Sequence, residues 1–597
     1  MTATDLARYR LTGDQFHGLG TGFGDAAALD ILRSGQASKR RLLLSTTIAQ
    51  ASGTAGWRRW GLADAVTLLL AAVEGRPDIE RLIFTHPLLD TWATRCLRQL
   101  DDAAPQEDGL PGLGYLAGLA AAAALRAGLD FTVTVPAPGG QVVLPTLGLA
   151  YGIGDGAALV SARAGLLTVA GTERTTSVPA PYTVDSPGWR AHREMVLDSP
   201  AGRLHLVVDD LDPYRICFGQ GLAARLDAAT AARLHALLAG AWSLIGAEHP
   251  GHALAMRTGL RCLVPLRAPQ SGSVSSSART AYGAIAASQP PDGAGMALLM
   301  IHEAQHMKLG ALLDLVDLYD PEDSSVYHAP WRLDPRPVGA LLQGVYAHVA
   351  VIDYWRKRRL VDRRAAEFES AYWLEQTWRA ADTLAGCAAL TPEGERFVGY
   401  LRATLEGWRR EPTGRSVARA TRDIARAVSV RWRMANFEPP PGEAARLARA
   451  WRLAQPSPPV AAPRPRLIEA GGAPLSGLAR AIQGRCIQNP ATGDSSPDAP
   501  TQSYLDGDIP AAAGGYAAAV TANPADDEAW IGLALATHHS GDPAVAVPLT
   551  WRPDLVRAVT AELHAAGLAT SATAVAAWLS SSGALPPGAG TADLDRG

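Results

Sequence analysis

The stretch LLMIHEAQHMKL, residues 298–309, decides how the fold of this chain is interpreted. Apolar residues recur through it and just beyond it at helical spacing, which predicts a buried helix. His302 and His306 are four residues apart, so on a helix they lie one above the other on the same face. Two imidazoles in that position can bind one metal ion. The sequence therefore predicts a metal site built on a core helix.

The spacing H-E-x-x-H is typical of zinc peptidases, in which the glutamate is the general base that activates a metal-bound water. Glu303 would have that role here, and Glu367 or Glu369 could supply a third ligand. Against this interpretation, Lys308 stands where zincin helices usually carry an apolar residue, and the longer metzincin pattern is absent from the sequence. A histidine pair that is only a partly buried polar feature of the core is the plain alternative. Burying such groups without a partner costs roughly 2–7 kcal/mol each, which favours a metal.

A second cluster follows in APWRLDPRPVGALLQGVYAHVAV, residues 329–351. Arg332 and Arg336 lie in a proline-punctuated loop, whose turn geometry would hold their guanidinium groups in place to bind a carboxylate. The alternative is that Asp334 pairs with one of them as a brace of the loop. The sequence does not decide which arginine would bind a ligand.

Past Pro337 the apolar spacing predicts a helix that contains His348. Gly344 and Ala347 are small residues on the same surface, which predicts space beside His348 for a metal and a bound acid. His348 is the first candidate for a third ligand, although a core histidine held by a hydrogen bond is an equal alternative. His328, before Pro330, competes with it, but a histidine in a surface turn is its plainer role.

Five stretches together resemble the H-E-x-x-H peptide-modifying proteins of actinobacterial peptide biosynthesis, also described as 2-oxoglutarate-dependent H-E-x-x-H-type peptide β-hydroxylases. The resemblance covers about residues 10–450, and the metal motif together with PWRLDPRP is more specific than either alone. The stretches are GLGTGFGDAAALDIL (18–32), LVVDDLDPYR (206–215), GLRCLVPLRAP (259–269), IHEAQHMKLGALLDLVDLY (301–319) and APWRLDPRPVGALLQGVYAHVAV (329–351).

The resemblance implies an iron(II) enzyme that uses 2-oxoglutarate and dioxygen to hydroxylate a β-carbon of a ribosomally made precursor peptide. It implies His302, His306 and His348 as iron ligands, with Arg332 or Arg336 binding the distal carboxylate of 2-oxoglutarate. Three protein ligands leave open positions on iron for the keto acid and dioxygen. Glu303 would then be a group that orients a ligand or the substrate. Some relatives are fused to or encoded beside radical SAM maturases, which makes such a maturase a candidate partner.

Composition limits the other function classes. The 597 residues carry a formal net charge of only −3, so no overall field favours nucleic acid or an anionic membrane. The five cysteines form no C-x-x-C pair, and the N-terminus has no signal-peptide pattern. The apolar stretch from Tyr115 is too short for a bilayer span of about 20 residues. We expect a cytoplasmic protein with free thiols.

The predicted fold class is α+β, with a mainly helical catalytic domain and one small antiparallel sheet over residues 1–455. Helical periodicity covers 1–127, short β-rich runs cover 128–215, and helical spacing returns for the metal-site region at 216–455. Proline-rich sequence at 456–500 predicts an extended linker.

A short helical module resembling tetratricopeptide repeats is predicted at 501–580. The pair Gly507-Asp508 recurs as Gly541-Asp542, 541 − 507 = 34 residues later, which is the period of that repeat. A non-catalytic scaffold whose repeat-like tail recruits partners is therefore a third hypothesis. It differs from the two enzymatic hypotheses in predicting that the protein holds no stoichiometric metal.

The glycine cluster GLGTGFGD, residues 18–25, does not follow a predicted strand and lacks G-K-[ST]. We therefore do not interpret it as a phosphate-binding loop. Asp25 is expected to cap the helix that follows.

Overall fold

The computed structural model describes residues 9–101, 111–219, 221–270, 272–361, 363–466, 473–487 and 497–581. The chain divides into two compact units, of which unit 1 ends at Leu318 and unit 2 begins at Tyr319. The first eight residues and residues 102–110, both within the predicted helical region 1–127, lie outside the described residues.

Unit 1 combines helices with three small sheets. Its helices are α1 (Gly13–Gly20), α2 (Ala26–Ala51), α3 (Ala55–Arg59), α4 (Leu62–Val73), α5 (Pro77–Thr85), α6 (Leu88–Asp101), α7 (Tyr115–Arg126), α8 (Ala228–Glu248), α9 (Pro250–Gly259) and α10 (Gly293–Leu313). Its strands are β1 (Phe131–Ala137), β2 (Gln141–Leu144), β3 (Gly148–Tyr151), β4 (Gly156–Arg163), β5 (Leu166–Ala170), β6 (Thr175–Pro179), β7 (Trp189–Ala191), β8 (Arg193–Leu197), β9 (Leu204–Val208), β10 (Cys262–Pro265), β11 (Ser275–Ser276) and β12 (Ala284–Ala287).

Two of these sheets are antiparallel, with strand orders β1-β4-β5-β6 and β2-β3-β7. The third has the order β11-β12-β10-β9-β8 and is mixed, because β10 pairs in parallel with both β9 and β12. The prediction of one antiparallel sheet was therefore wrong in number. The strands within 128–215 pair antiparallel with one another, as predicted, but they belong to three sheets, one of which also contains the parallel strands β10 and β12. β10 and β12 are four-residue runs in which every residue is buried, so they lack the polar alternation that marks a strand.

The helix α7 confirms the predicted buried helix, since every residue from Tyr115 to Leu125 is buried. It packs on β1 and β2, and the approach is close at Gly118. A Cβ built there would lie 2.4 Å from the Val143 carbonyl oxygen, so the helix needs a glycine at that point. The mainly alanine surface of α7 lets helix and sheet approach this closely, and the apolar core of unit 1 is centred here.

One described helix, α8, is long and apolar enough to cross a membrane by length and composition alone. Five apolar side chains of α8 are buried within unit 1, where α8 packs against α10, namely Leu234, Leu238, Ala241, Trp242 and Ile245.

Unit 2 is helical apart from two short β-ribbons. Its helices are α11 (Val338–Arg358), α12 (Arg363–Ala385), α13 (Pro392–Arg409), α14 (Arg415–Asn436), α15 (Glu443–Arg452), α16 (Gly477–Ile487), α17 (Ala499–Asp506), α18 (Ile509–Ala522), α19 (Asp527–His539), α20 (Pro543–Trp551), α21 (Pro553–Ala565) and α22 (Ala572–Ser580). Its strands β13 (Val326–Tyr327) and β14 (Arg336–Pro337) pair antiparallel, as do β15 (Phe437–Glu438) and β16 (Arg464–Pro465). The fold is thus α+β and mainly helical, as predicted.

The C-terminal helices share one apolar core with α12, α14 and α15. The helix α16 lies inside the predicted linker 456–500 and buries Leu478, Ala479 and Ile482 in that core, so this part is packed helix and not extended chain. Residues 467–472 and 488–496 of the same region lie outside the described residues.

The 34-residue spacing predicted as a repeat has a counterpart in the backbone. Gly507 and Gly541 both have positive φ, +86° and +79°, which glycine tolerates best. Each is followed by an aspartate, Asp508 or Asp542, whose carboxylate accepts a hydrogen bond from a backbone N–H of the next helix. The two segments therefore end one helix and begin the next in the same way.

Candidate metal-binding helix and arginine loop

The H-E-x-x-H motif lies in the middle of α10. Asp292 caps the start of this helix by accepting a hydrogen bond from the Gly295 N–H, and the helix ends at Leu313. From Met300 to Leu313 every residue is buried except His302 and His306, which keep partial exposure. The two histidines are thus the accessible positions on a segment of helix that is otherwise in the core of unit 1.

The two imidazoles converge at their outer nitrogens. His302 Nε2 and His306 Nε2 are 3.1 Å apart, and the rings meet edge to face at 4.8 Å between centroids. Two nitrogens that each lie about 2.0–2.1 Å from one ion are about 3 Å apart when they occupy neighbouring coordination positions. The observed separation fits a pair of ligands to a single metal ion, as the sequence predicted for a helix with this spacing.

Glu303 points away from the histidine pair and is buried, with 3% of its surface exposed. Its Oε1 accepts a short hydrogen bond of 2.6 Å from the Ser275 hydroxyl on β11. Its Oε2 is buried and has no hydrogen-bond partner among the described residues. In the same helical turn as the two histidines, the Glu303 carboxylate therefore has one hydrogen-bonded oxygen and one buried oxygen without a partner among the described residues.

Lys308 contacts the glycine cluster of the N-terminal region. It is buried, and its ammonium donates hydrogen bonds to the carbonyls of Gly22 (2.6 Å) and Phe23 (2.8 Å). Gln305 donates to the Gly22 carbonyl as well. Burial lowers the pKa of the Lys308 ammonium to about 7. The cluster at residues 18–25 is therefore the end of α1 and the turn after it, and side chains of α10 bind the carbonyls of that turn.

Asp25, at the end of that cluster, caps α2 by accepting a hydrogen bond of 2.7 Å from the Ala28 N–H. This confirms the cap that was predicted from the sequence.

In unit 2, Arg332 lies in the loop between β13 and β14, and Arg336 is the first residue of β14. Arg332 Nε donates to Asp334 Oδ1 (2.8 Å), and Arg336 Nη1 donates to Asp334 Oδ2 (3.2 Å). Despite the cost of its own burial, these hydrogen bonds and charges lower the pKa of the Asp334 carboxyl. Asp334 thus braces both arginines and not one of them. Each guanidinium has five N–H donors. The hydrogen bond to Asp334 therefore holds each arginine in place and leaves it further donors.

His348 lies in α11, which begins directly after Pro337 as predicted. Its Nδ1 donates to the Gly344 carbonyl at 2.7 Å, so a metal would have to bind at Nε2. The ring is stacked between two indoles, Trp331 at 4.3 Å and Trp373 at 4.5 Å between centroids. These contacts fix its orientation.

The space predicted at Gly344 is filled by an indole. A Cβ built on Gly344 would lie 2.1 Å from Cζ2 of Trp331, so the glycine accommodates that ring. At Gly344 the prediction was wrong because a small residue on a helix marks the close approach of another group, and the sequence does not identify that group.

His328 does not lie in a surface turn, contrary to its predicted plainer role. It is half-buried and stacked on Trp432 at 4.7 Å, and its Nε2 is buried without a hydrogen-bond partner among the described residues. Burial, together with the charges of Arg433 and Arg379, lowers the pKa of His328 to about 3. Its imidazole is therefore neutral at any physiological pH.

The two glutamates considered for a zinc site have other contacts in unit 2. Glu367 Oε1 accepts a hydrogen bond from the Gly414 N–H at 2.8 Å, at the start of α14. Glu369 accepts one from Trp373 Nε1 at 3.1 Å, and burial raises the pKa of its carboxyl. Glu367 thus links α12 to the start of α14, and the hydrogen bond of Glu369 lies within α12.

The structure brings the predicted site residues together in two sets. His302, His306 and Glu303 adjoin in unit 1, while the two arginines and His348 belong to unit 2. In the described part of the chain, no group of three or more His, Cys, Asp or Glu side chains is placed to hold a metal ion. The combination of the two sets in one site therefore stays a prediction.

Two features of the site were not anticipated, namely the Ser275 hydroxyl on Glu303 and the paired indoles around His348. The serine-rich segment before α10 was visible as a loop, but nothing in it singled out Ser275. Trp331 and Trp373 are 42 positions apart, and no local pattern relates them. Comparison with known proteins adds no assignment, since no family model matches the chain and no curated protein is similar to it.

Proposed function

We propose that the protein is an iron(II)- and 2-oxoglutarate-dependent oxygenase that hydroxylates a β-carbon of a ribosomally made precursor peptide. The observation that carries the proposal is the convergence of the His302 and His306 Nε2 atoms, 3.1 Å apart, at the accessible positions of a buried helix. The resemblance of the motif and the arginine loop to peptide β-hydroxylases supports the choice of iron and of 2-oxoglutarate.

His302 and His306 would hold the ion through their Nε2 lone pairs, on a helix whose burial keeps both rings from moving. Iron(II) would supply the redox chemistry, in which 2-oxoglutarate, dioxygen and a peptide C–H give succinate, carbon dioxide and a peptide C–OH. Glu303 would be a positioning residue, because its hydrogen bond from Ser275 anchors it behind the pair. We propose His348, or in its place His328, as a further ligand, and Arg332 or Arg336 as the group that binds the distal carboxylate of 2-oxoglutarate.

The test is turnover by full-length protein loaded anaerobically with iron(II), then given 2-oxoglutarate, dioxygen and a candidate precursor peptide. Succinate and a peptide about 16 Da heavier, in equal amounts, are the expected products of one inserted oxygen atom. His302→Ala and His306→Ala should lose both iron and turnover. His235→Ala is the matched control, since His235 is an exposed histidine of α8 and its loss should change neither. Folded, iron-loaded wild-type protein that yields neither product contradicts the proposal.

The third ligand is tested separately by iron content. If His348 is the ligand, His348→Ala lowers bound iron and His328→Ala does not, and the reverse result assigns His328. Arg332→Ala and Arg336→Ala should be compared by their Kd for 2-oxoglutarate, since loss of a bidentate arginine weakens binding more than loss of a brace.

A zinc peptidase is the second candidate, favoured by the unpartnered Oε2 of Glu303, which could accept a proton from water. Under this hypothesis Glu303→Gln abolishes peptide cleavage while zinc stays bound. The burial of Glu303 and its bond from Ser275 favour the oxygenase, in which Glu303→Gln lowers turnover without abolishing it. Wild-type protein that holds no stoichiometric metal would contradict both enzymes and support the scaffold hypothesis.

We further propose that residues 501–580 act as a tetratricopeptide-like surface for a protein partner in the cytoplasm, with a radical SAM maturase of the same peptide pathway as the candidate. The matching helix ends at Gly507 and Gly541 support this assignment. Titration of the full chain with a radical SAM maturase of such a pathway should give saturable binding, and no binding at micromolar concentration would contradict the partner.

A further inference from the structure

Unit 1 contains a cavity of about 320 Å³ that takes no part in the proposed chemistry. It lies between the end of α5, the strands β8 and β9, and the start of β10. Apolar side chains such as Met195 and Leu206 make up much of its wall. Sites for small organic ligands have volumes of about 300–1,000 Å³ and mostly apolar walls with a few polar groups. The size and lining of this cavity match that description.

Thr146 lines this cavity in a strained conformation. Its φ is +71°, a value that β-branched residues rarely adopt. Arg126 Nη2 donates to its carbonyl at 2.6 Å and so helps to hold the backbone there. Its hydroxyl is buried and has no hydrogen-bond partner among the described residues. Strain of this kind persists where the surroundings require it, and ligand sites are among the places where it concentrates.

His192 is the second polar side chain of the wall. Its backbone N–H donates to the carbonyl of Leu147, the residue after Thr146, so the backbone positions of the two residues are close, and both line the cavity. The residue is 5% exposed, and neither ring nitrogen has a hydrogen-bond partner in the described part of the chain. Nδ1 lies 4.0 Å from Asp209 Oδ1, which is beyond hydrogen-bond range. Buried polar groups are nearly always partnered, so this pair of side chains indicates a missing partner.

The charges around the cavity balance. The wall contains two arginines, Arg126 and Arg261, and two carboxylates, Glu194 and Asp209. Arg126 Nη2 lies 3.7 Å from Glu194 Oε1, and the Arg261 guanidinium donates to backbone carbonyls. Asp209 Oδ1 accepts hydrogen bonds from two backbone N–H groups. Burial raises the pKa of the Cys262 thiol well above its usual value, so that part of the wall is uncharged. The formal charges of these arginines and carboxylates cancel, which favours an uncharged ligand.

We propose that this cavity binds a small uncharged molecule, mainly apolar and one or two rings in size, that carries a hydroxyl or amide group. The hydroxyl or amide would exchange hydrogen bonds with His192 and Thr146, and the apolar body would contact Met195 and Leu206. A neutral imidazole and a hydroxyl each offer one donor and at least one acceptor, which is the complement of such a group. None of these residues belongs to the histidine pair or the arginine loop, so the inference does not depend on the proposed function.

The test is calorimetric titration of the full chain with four probes, namely phenol, benzamide, toluene and benzoate. Phenol and benzamide should bind at least tenfold more tightly than toluene, which lacks the polar group, and than benzoate, which is charged. His192→Phe should weaken phenol binding at least tenfold and leave toluene binding within twofold. Thr146→Gly, which removes the hydroxyl and tolerates the positive φ, should weaken phenol binding in the same direction.

His235→Phe is the control, because it is the same substitution at an exposed histidine outside the cavity. It should leave all four affinities unchanged. If His192→Phe does not fold, Thr146→Gly decides the outcome alone. The inference is overturned if no probe binds at millimolar concentration, if phenol binds no more tightly than toluene, or if the variants bind phenol as the wild type does. The first of these results would mean a cavity filled by water only.

Discussion

Substitution of Gly344 by alanine should disturb the indole that orients His348. A Cβ at this position would lie 2.1 Å from Cζ2 and 2.6 Å from Cε2 of Trp331, both far inside contact distance. The indole cannot swing away without losing its stacking on His348, where the ring centroids are 4.3 Å apart. The substitution therefore has to displace either the indole or the helix α11.

The size of the effect follows from two opposing terms. Overpacking a well-packed site costs about 1–3 kcal/mol. Replacing glycine by alanine within a helix stabilises the folded state by about 1 kcal/mol, because alanine has the higher helix propensity. Gly344→Ala should thus lower the free energy of unfolding by about 0–2 kcal/mol. Gly399 of α13 is the matched control, since nothing lies within 4 Å of a Cβ built there and Gly399→Ala should gain about 0.5–1 kcal/mol.

Urea unfolding followed by circular dichroism measures both variants, and Gly344→Ala should be the less stable by about 1–3 kcal/mol. In a Trp331→Leu background the clash is removed, so the same substitution should lose most of its cost. Equal gains in stability for Gly344→Ala and Gly399→Ala would refute the packing of Trp331 on Gly344. A cost that persists without the indole would place its cause elsewhere.

Three further predictions concern single side chains. Ser275→Ala leaves both oxygens of Glu303 without a partner among the described residues and should lower the free energy of unfolding by about 1–3 kcal/mol in urea; wild-type stability would contradict this. The pKa of the Asp334 carboxyl is below its usual 3.8, so its stabilisation is present above pH 3.8 and lost as pH falls through the folded-state pKa. Asp334→Asn should therefore cost up to about 1 kcal/mol at neutral pH, because its arginine partners are over one-third exposed, and the difference from wild type should shrink in acid titrations; a difference independent of pH would contradict the brace. Asp542→Ala removes the cap of α20 and should lower the free energy of unfolding by about 1 kcal/mol, measured by thermal unfolding. An unchanged melting temperature would contradict this prediction.

The elements with strong periodicity were predictable from the sequence. The helix α10, the buried helix α7 and the cap at Asp25 follow from local spacing and chemistry, and the structure contains each of them. The parallel strands β10 and β12 were not predictable, since a fully buried four-residue run has no alternation to distinguish it from buried helix. The packed helix α16 was missed because the proline-rich segments on either side of it dominated the local composition.

The site was predictable where it depends on helical spacing and not where it depends on tertiary contacts. An i, i+4 histidine pair must share a face, so the convergence of His302 and His306 follows from the motif. The bond from Ser275 to Glu303 joins residues 28 positions apart, and the filling of the Gly344 surface by Trp331 depends on how a loop folds back on its helix. Such contacts are fixed by packing that no local pattern encodes.

The central claim is tested most directly by the source of the oxygen atom in the product. Iron-loaded protein is supplied with 2-oxoglutarate, a candidate precursor peptide and isotopically labelled dioxygen in unlabelled water, and the peptide is analysed by mass spectrometry. The oxygenase predicts an intact peptide that carries one labelled oxygen atom on a β-carbon, with a second labelled atom in succinate. Cleaved peptide whose new carboxylate carries no labelled oxygen, with one oxygen from the peptide carbonyl and one from water, would contradict the oxygenase and establish a hydrolase.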